Sequence, residues 1–126
     1  MAKEDMAKKQ ALVRPKRGDV YLVNFDPTIG AEIRKVRPAL IVQNDAANRW
    51  SPITIVAAIT SSAEWKVYPS VVGVEGGEGG LTMPSRVLLN QVRSIDRQRL
   101  IKRTGSFAPQ TMARIDHALR ISFGLV

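Results

Sequence analysis

The sequence predicts a mainly β domain, a small and strongly curved barrel or half-barrel with a single helix at its C-terminal end. Two patterns lead to that class. Short apolar runs recur along the chain, each bounded by Gly, Pro, Asn or Asp turn signals, as in all-β domains built from many short strands. Past Pro109 the period changes, and Met112, Ile115, Leu119, Ser122 and Phe123 return at helical spacing. The 126 residues suffice for one real core. Neither an internal repeat nor a second domain is visible.

The elements follow in order. Val20–Phe25 reads as a strand, led in by Arg17-Gly18-Asp19 and stopped by Asp26-Pro27. A loop from Thr28 to Val36 carries Gly30 and the acid Glu32. Ala39–Gln43 is a continuous apolar run, hence a strand covered on both faces. Pro38 suits its first position, because proline lacks an N–H for the ladder. Asn44-Asp45 ends it, and Ala46–Pro52 reads as a second loop. Ile53–Ile59 is the next buried strand, with Thr60-Ser61-Ser62 at its exit, and Ser70–Val74 is a shorter one. Glu75–Gly80 reads as a mobile, glycine-rich hairpin tip. Arg86–Leu89 and Gln91–Ile95 form a paired set, Asp96–Leu100 a helical turn, and Lys102–Ser106 a last strand. Pro109 is a favourable first helical residue and Gly124 a stop, so the helix runs Pro109–Phe123.

Composition narrows the chemistry. The formal net charge is +8, which favours an anionic partner. Half of that charge lies before Asp19, most of it in a basic extension over residues 1–16 expected to be disordered. After Gly18 the basic residues are ten Arg and three Lys, a bias that suits bidentate recognition of phosphate or carboxylate. There are no cysteines, so disulfides and thiolate metal sites are excluded. His117 is the only histidine, so a Ser-His-Asp triad or a histidine metal cluster within one chain is ruled out; it falls on the polar side of the helix. No apolar run is long enough to span a bilayer and no signal-peptide h-region is visible, so the expected location is the cytoplasm. Glu75-Gly-Gly-Glu78-Gly-Gly lacks the Lys-Ser/Thr of a phosphate-cradling loop. Arg93, Arg97, Arg99, Lys102 and Arg103 read either as a phosphate-binding face or as a charge-protected sheet edge.

Two strand ends remain. Arg37 enters the strand Ala39–Gln43, and Thr60 leaves the strand Ile53–Ile59. If these sequential strands pair antiparallel, the start of one lies beside the end of the other, on one rim. The bland alternative is a structural ion pair of Arg37 with Glu32 and a turn-capping Thr60.

A longer pattern joins these residues. Arg17-Gly18-Asp19-Val20-Tyr21, Asp26-Pro27-Thr28 and Val36-Arg37-Pro38-Ala39-Leu40-Ile41-Val42 are followed by Gln43-Asn44-Asp45 and Asn48-Arg49-Trp50-Ser51-Pro52. Ile55-Val56-Ala57-Ala58-Ile59-Thr60, Val87–Asp96, Arg99-Leu100 and Ala118-Leu119-Arg120-Ile121-Ser122 complete it. In that order, from Arg17 onward, the chain resembles the MazF/PemK family of toxin ribonucleases. The resemblance implies a 17–126 toxin domain with an SH3-like small barrel, shared with CcdB-like toxins, and assembly as a homodimer. It implies metal-independent, cofactor-free and ribosome-independent cleavage of single-stranded RNA at a preferred sequence, and restraint by an acidic-tailed antitoxin of the MazE type.

The family's catalytic arginine falls on Arg37 and its catalytic threonine on Thr60. Its RNA-contacting positions fall on Arg17, Glu32 and Gln91, with Asn44 and Ser61 as further candidates. Two departures bear on base preference. Ala31-Glu32-Ile33-Arg34-Lys35-Val36 stands where relatives have Ser-Glu-Gln-Gly-Gly before the arginine, and Asn90 stands where a glutamate is common. The competing functions are a CcdB-like binder of DNA gyrase and a relative that binds RNA without cutting it.

Overall fold

The computed structural model describes residues 14–25, 36–61 and 68–125. Glu32, most of the loop that holds it and most of the basic extension lie outside these residues. The folded body already includes Pro15, which is buried, and Lys16, whose backbone N–H donates to Asp19 Oδ2 at 3.0 Å.

Six strands form one antiparallel sheet: β1 (Asp19–Asn24), β2 (Val36–Ile41), β3 (Ile53–Thr60), β4 (Val71–Val74), β5 (Ser85–Asp96) and β6 (Leu100–Ser106). Their spatial order is β4-β5-β3-β2-β1-β6, so β2 and β3 occupy the middle. A short helix, α1 (Asp45–Trp50), links β2 to β3, and α2 (Pro109–Phe123) closes the chain.

The continuous apolar strands are covered on both faces, as their lack of alternation requires. Ala39, Leu40 and Ile41 are all fully buried. Leu40 joins Val20, Ala57, Ile59, Val87 and Leu89 in the larger cluster, which Ile115 and Ala118 of α2 complete. Ala39 and Ile41 join Tyr21, Val23, Val56, Ile95 and Leu100 in a second cluster. Burial pushes the Tyr21 phenol up, and the neighbouring Asp19 carboxylate adds to the shift. Truncating a side chain such as Leu40 to Ala is expected to cost about 2–5 kcal/mol.

α2 has the expected limits. Pro109 stands in its first turn, Ile115 and Ala118 face the core, His117 is exposed, and Gly124 ends the helix at φ 70°. The Gly124 N–H reaches the carbonyls of Arg120 and Ile121, a left-handed cap that glycine adopts at little cost.

Four details differ from the sequence expectation. β2 starts at Val36, so Pro38 is its third residue. The β2–β3 ladder begins only at Ala39↔Ala58, one residue past the proline that has no N–H to contribute. Ala46–Pro52 is mostly helix. Asn44 caps it by accepting from the Ala47 N–H at 2.8 Å, and Asp45 and Arg49 occupy its first and last turns. Asn48, almost fully buried, anchors that helix by donating to the Gln43 carbonyl and accepting from Gln43 Nε2 and Thr54 Oγ1.

Arg86–Leu89 and Gln91–Ile95 belong to one long strand and do not pair with each other. β5 pairs with β3 through a bulge: Leu88 opposes Ala58, yet Val92 opposes Ala57, which leaves Asn90 and Gln91 exposed between them. The glycine run is packed, not a free hairpin tip. Its turn Glu78–Gly80 lies against β6, where Thr104 Oγ1 donates to the Gly79 carbonyl at 2.8 Å. A Cβ on Gly80, whose φ is 75°, would collide with the Thr104 carbonyl, and one on Gly105 would meet the Gly79 backbone. The sheet therefore curls into a barrel whose last gap is closed by backbone-to-backbone packing, without a ladder between β4 and β6.

Candidate active site

Arg37 and Thr60 share one rim. β2 and β3 run antiparallel with Ala39 opposite Ala58, and two further steps in that register set Arg37 opposite Thr60. Both line a cavity of about 500 Å3, with Pro38, Ser61, Leu22 and Met83 among its walls. The placement follows from the strand patterns. Buried Leu40 and Ile41 fix β2 in the core and push Arg37 out at its mouth, while Ile59 fixes β3 and leaves Thr60 as its last, half-buried residue. The Arg37 side chain is exposed, and among the described residues no carboxylate stands within ion-pair distance of it.

A second cavity of about 750 Å3 shares Thr60, Ser61, Met83 and Ser85 with the first. It adds Arg86 from β5, Arg114 from α2, and Glu75 and Glu78. Arg86 is the direct cross-strand partner of Thr60. These residues were missed in the sequence, because nothing local announces that Arg86 comes to lie beside Thr60.

The remaining sequence candidates are elsewhere. Arg17 is near Ile41, at the other end of β2, about 13 Å along the strand from Arg37. Its Nη2 meets Asp116 Oδ1 at 2.6 Å, its Nε donates to the Val42 carbonyl at 2.9 Å, and its backbone N–H donates to Asp45 Oδ1 at 2.7 Å. Asn44, at that same end, is exposed and serves as the cap of α1. Gln91 is exposed at the β5 bulge, away from both cavities. Ser61 joins Thr60 at the rim, and Glu32 lies outside the described residues. The structure thus brings together Arg37, Thr60 and Ser61, and sets Arg17, Asn44 and Gln91 apart from them.

The basic set on β5 and β6 divides in the same way. Arg97 donates to the Ser51 carbonyl at 3.3 Å, Arg99 to the Asn24 carbonyl at 3.1 Å, and Arg103 to Asp19 Oδ1 at 3.0 Å. Arg93 lies over the Phe25 ring at 5.2 Å. Four of the five therefore hold the barrel's outside together. Among the described residues no group of three His, Cys, Asp or Glu side chains is placed to hold a metal ion, and no helix is long and apolar enough to cross a membrane.

Known proteins share this sequence and fold. Residues 16–123 match the family described as PemK-like, MazF-like toxin of type II toxin–antitoxin system. The chain is 41% identical over 111 residues to endoribonuclease EndoA of Bacillus subtilis, covering 88% of this chain and 96% of that protein. It is 41% identical over 110 residues to endoribonuclease MazF of Staphylococcus epidermidis, covering 87% and 92%. Among solved structures, a MazE–MazF complex from Deinococcus radiodurans superposes with a TM-score of 0.74 at 26% identity, covering 90% of this chain and 98% of that one. An endoribonuclease with its cognate antitoxin from a mycobacterial species gives 0.73 at 26% identity, covering 89% and 97%. With a family match that takes in both strand ends and runs from Lys16 to Phe123, the chain belongs to the PemK-like, MazF-like toxins of type II toxin–antitoxin systems.

Proposed function

We propose that this toxin cuts single-stranded RNA at the rim where Arg37 and Thr60 meet, without a metal ion. Curated relatives at 41% identity over nearly their whole lengths are named endoribonucleases, and this chain is one too. The observation that carries the site is the single cavity lined by Arg37 and Thr60 from two different strands.

RNA supplies its own nucleophile, the 2′-OH. Its attack forms the O2′–P bond, breaks the P–O5′ bond, and gives a 2′,3′-cyclic phosphate and a 5′-hydroxyl. The protein has to hold the three atoms in line and stabilise the charge that builds on the nonbridging oxygens. A guanidinium at the mouth of a buried strand suits that task, because its planar fork of donors matches the nonbridging oxygens. Thr60 Oγ1 donates to the same phosphate. Arginine keeps its proton across the working pH range, so the Arg37 guanidinium acts chiefly through charge; the 2′-OH proton passes to Glu32, to water or by transient exchange through Arg37, and the leaving O5′ takes a proton from Arg37 or water to become the 5′-hydroxyl. The reading gives no step to a metal, in keeping with one histidine and no cysteine in the whole chain. The site works in a homodimer in the cytoplasm, and the antitoxin found with two structural neighbours supplies the restraint.

The test is to incubate purified protein with a long RNA in excess EDTA and map the new 5′ ends. Discrete cuts whose 5′ ends accept phosphate from a polynucleotide kinase without prior dephosphorylation are expected. Cleavage that vanishes in EDTA and returns with Mg2+, or that leaves 5′-phosphates, overturns the mechanism.

A further inference from the structure

Arg37 is one of two guanidiniums that flank Thr60. Extended two residues past Ala39↔Ala58, the β2–β3 register sets Arg37 opposite Thr60, which pairs in turn with Arg86 on β5. Side chains on a strand alternate between faces. Leu40, Ile59 and Val87 all point into the larger core, so Arg37, Thr60 and Arg86 share the opposite face. Neighbouring strands are about 4.8 Å apart, which places the Arg37 and Arg86 backbones about 10 Å from each other with Thr60 midway. The next position in the row is Gly73 on β4, exposed and with no atom within 4 Å of where a Cβ would sit. The row therefore ends in open space above Arg86. The two cavities adjoin along it, because Thr60 and Ser61 line both.

We infer that Arg86 is a phosphate-binding residue for the nucleotide next to the cleaved bond, so that the RNA backbone crosses the strands from Arg37 over Thr60 toward Arg86. The inference rests on the ribonuclease reading and adds a residue that sets affinity. Arg86 is half-buried, and among the described residues no carboxylate is within ion-pair distance of it to take up its donors. Glu75 and Glu78 belong to the same cavity, and Glu78 accepts from the Ala108 N–H at 3.3 Å. Their charge repels phosphate and confines the RNA backbone to the arginine side. Arg114 of α2 lines that cavity as well and extends the basic path beyond Arg86.

The test compares wild type with Arg86→Ala, Arg86→Lys and Gly73→Glu, the last placing a carboxylate in the open space beside Arg86. Cleavage kinetics on a short RNA are read together with fluorescence-anisotropy binding of the same oligonucleotide carrying 2′-deoxyribose at the cut site, over a salt series. Arg86→Ala is expected to raise KM about tenfold with kcat within twofold, as for one lost charge-assisted contact made alike in ground and transition states. The slope of log K against log salt should shrink by about 0.7, one phosphate's share for a single strand. Arg86→Lys should keep the slope, and Gly73→Glu should weaken binding with an unchanged Tm. An Arg86→Ala slope and KM equal to wild type overturn the inference. Binding uses an uncleavable ligand, so a protein that binds with the expected slopes but does not cut would refute the ribonuclease reading and leave Arg86's role standing.

Discussion

At the scale of single residues, Arg37 and Arg17 show how the same side chain takes opposite roles. Arg17 is enclosed by Asp116, the Val42 carbonyl and Asp45, and its donors are committed to tying the lead-in of β1 to α2, the end of β2 and α1. Arg37 extends from the mouth of β2 with no described carboxylate beside it. We expect Arg37→Ala to leave Tm unchanged and to lower kcat about a hundredfold or more, the loss typical of one preorganised transition-state donor. Arg37→Lys should not restore it, because an ammonium lacks the planar fork. Thr60→Val should cost less than Arg37→Ala in kcat, and the reverse order in single-turnover rates would exchange their roles. The pairing of Arg37 with Thr60 was legible because both stand at the ends of strands that are adjacent in sequence. Arg86 was not, since 26 positions and an intervening strand separate it from its cross-strand partner Thr60.

At the scale of elements, the glycine-rich turn gives the clearest contrast between composition and structure. Six residues with four glycines suggest mobility, and glycine is usually read that way. Here the missing Cβ serves close approach, since Gly79, Gly80 and Gly105 let the turn lie directly on β6. Gly80→Ala should therefore lower stability by about 3 kcal/mol or more, through the collision with Thr104 and a left-handed φ. A urea midpoint that falls at constant m-value checks this. An unchanged midpoint would mean that the barrel does not depend on this closure. Helix α1 escaped a periodicity search because six residues are under two turns, although its Asn44 cap was in plain view. The β5 bulge escaped because polar Asn90 and Gln91 look like a turn between two strands. Only the facing positions on β3 show that the strand continues. α2, with four turns and a proline start, was legible to the residue.

At the scale of the whole molecule, two adjoining cavities share the Thr60 rim, with Arg37 in one and Arg86 and Arg114 in the other. An antitoxin with an acidic, disordered tail fits this surface, because charge pairing and apolar anchors offset the cost of ordering the tail. We predict that the C-terminal peptide of such an antitoxin inhibits cleavage alone and competes with RNA, with Arg37→Ala weakening its binding. Tight peptide binding that leaves cleavage intact would separate the two sites. The family was legible from the ordered set of short motifs, none of which is diagnostic alone. The curvature that sets the two cavities side by side depends on long-range strand pairing, which no local pattern records.

The Arg17–Asp116 clasp has a consequence for biosynthesis. Its two halves are 99 positions apart, and β1, which follows Arg17 directly, needs β6 as its outer neighbour. A ribosome adding about 5–20 residues per second makes Arg17 about 5–20 s before Asp116 exists. Until β6 is made β1 has an open edge, and until α2 is made the core awaits Ile115 and Ala118. The rim that holds Arg37 and Thr60 thus lacks its full support until α2 has been made.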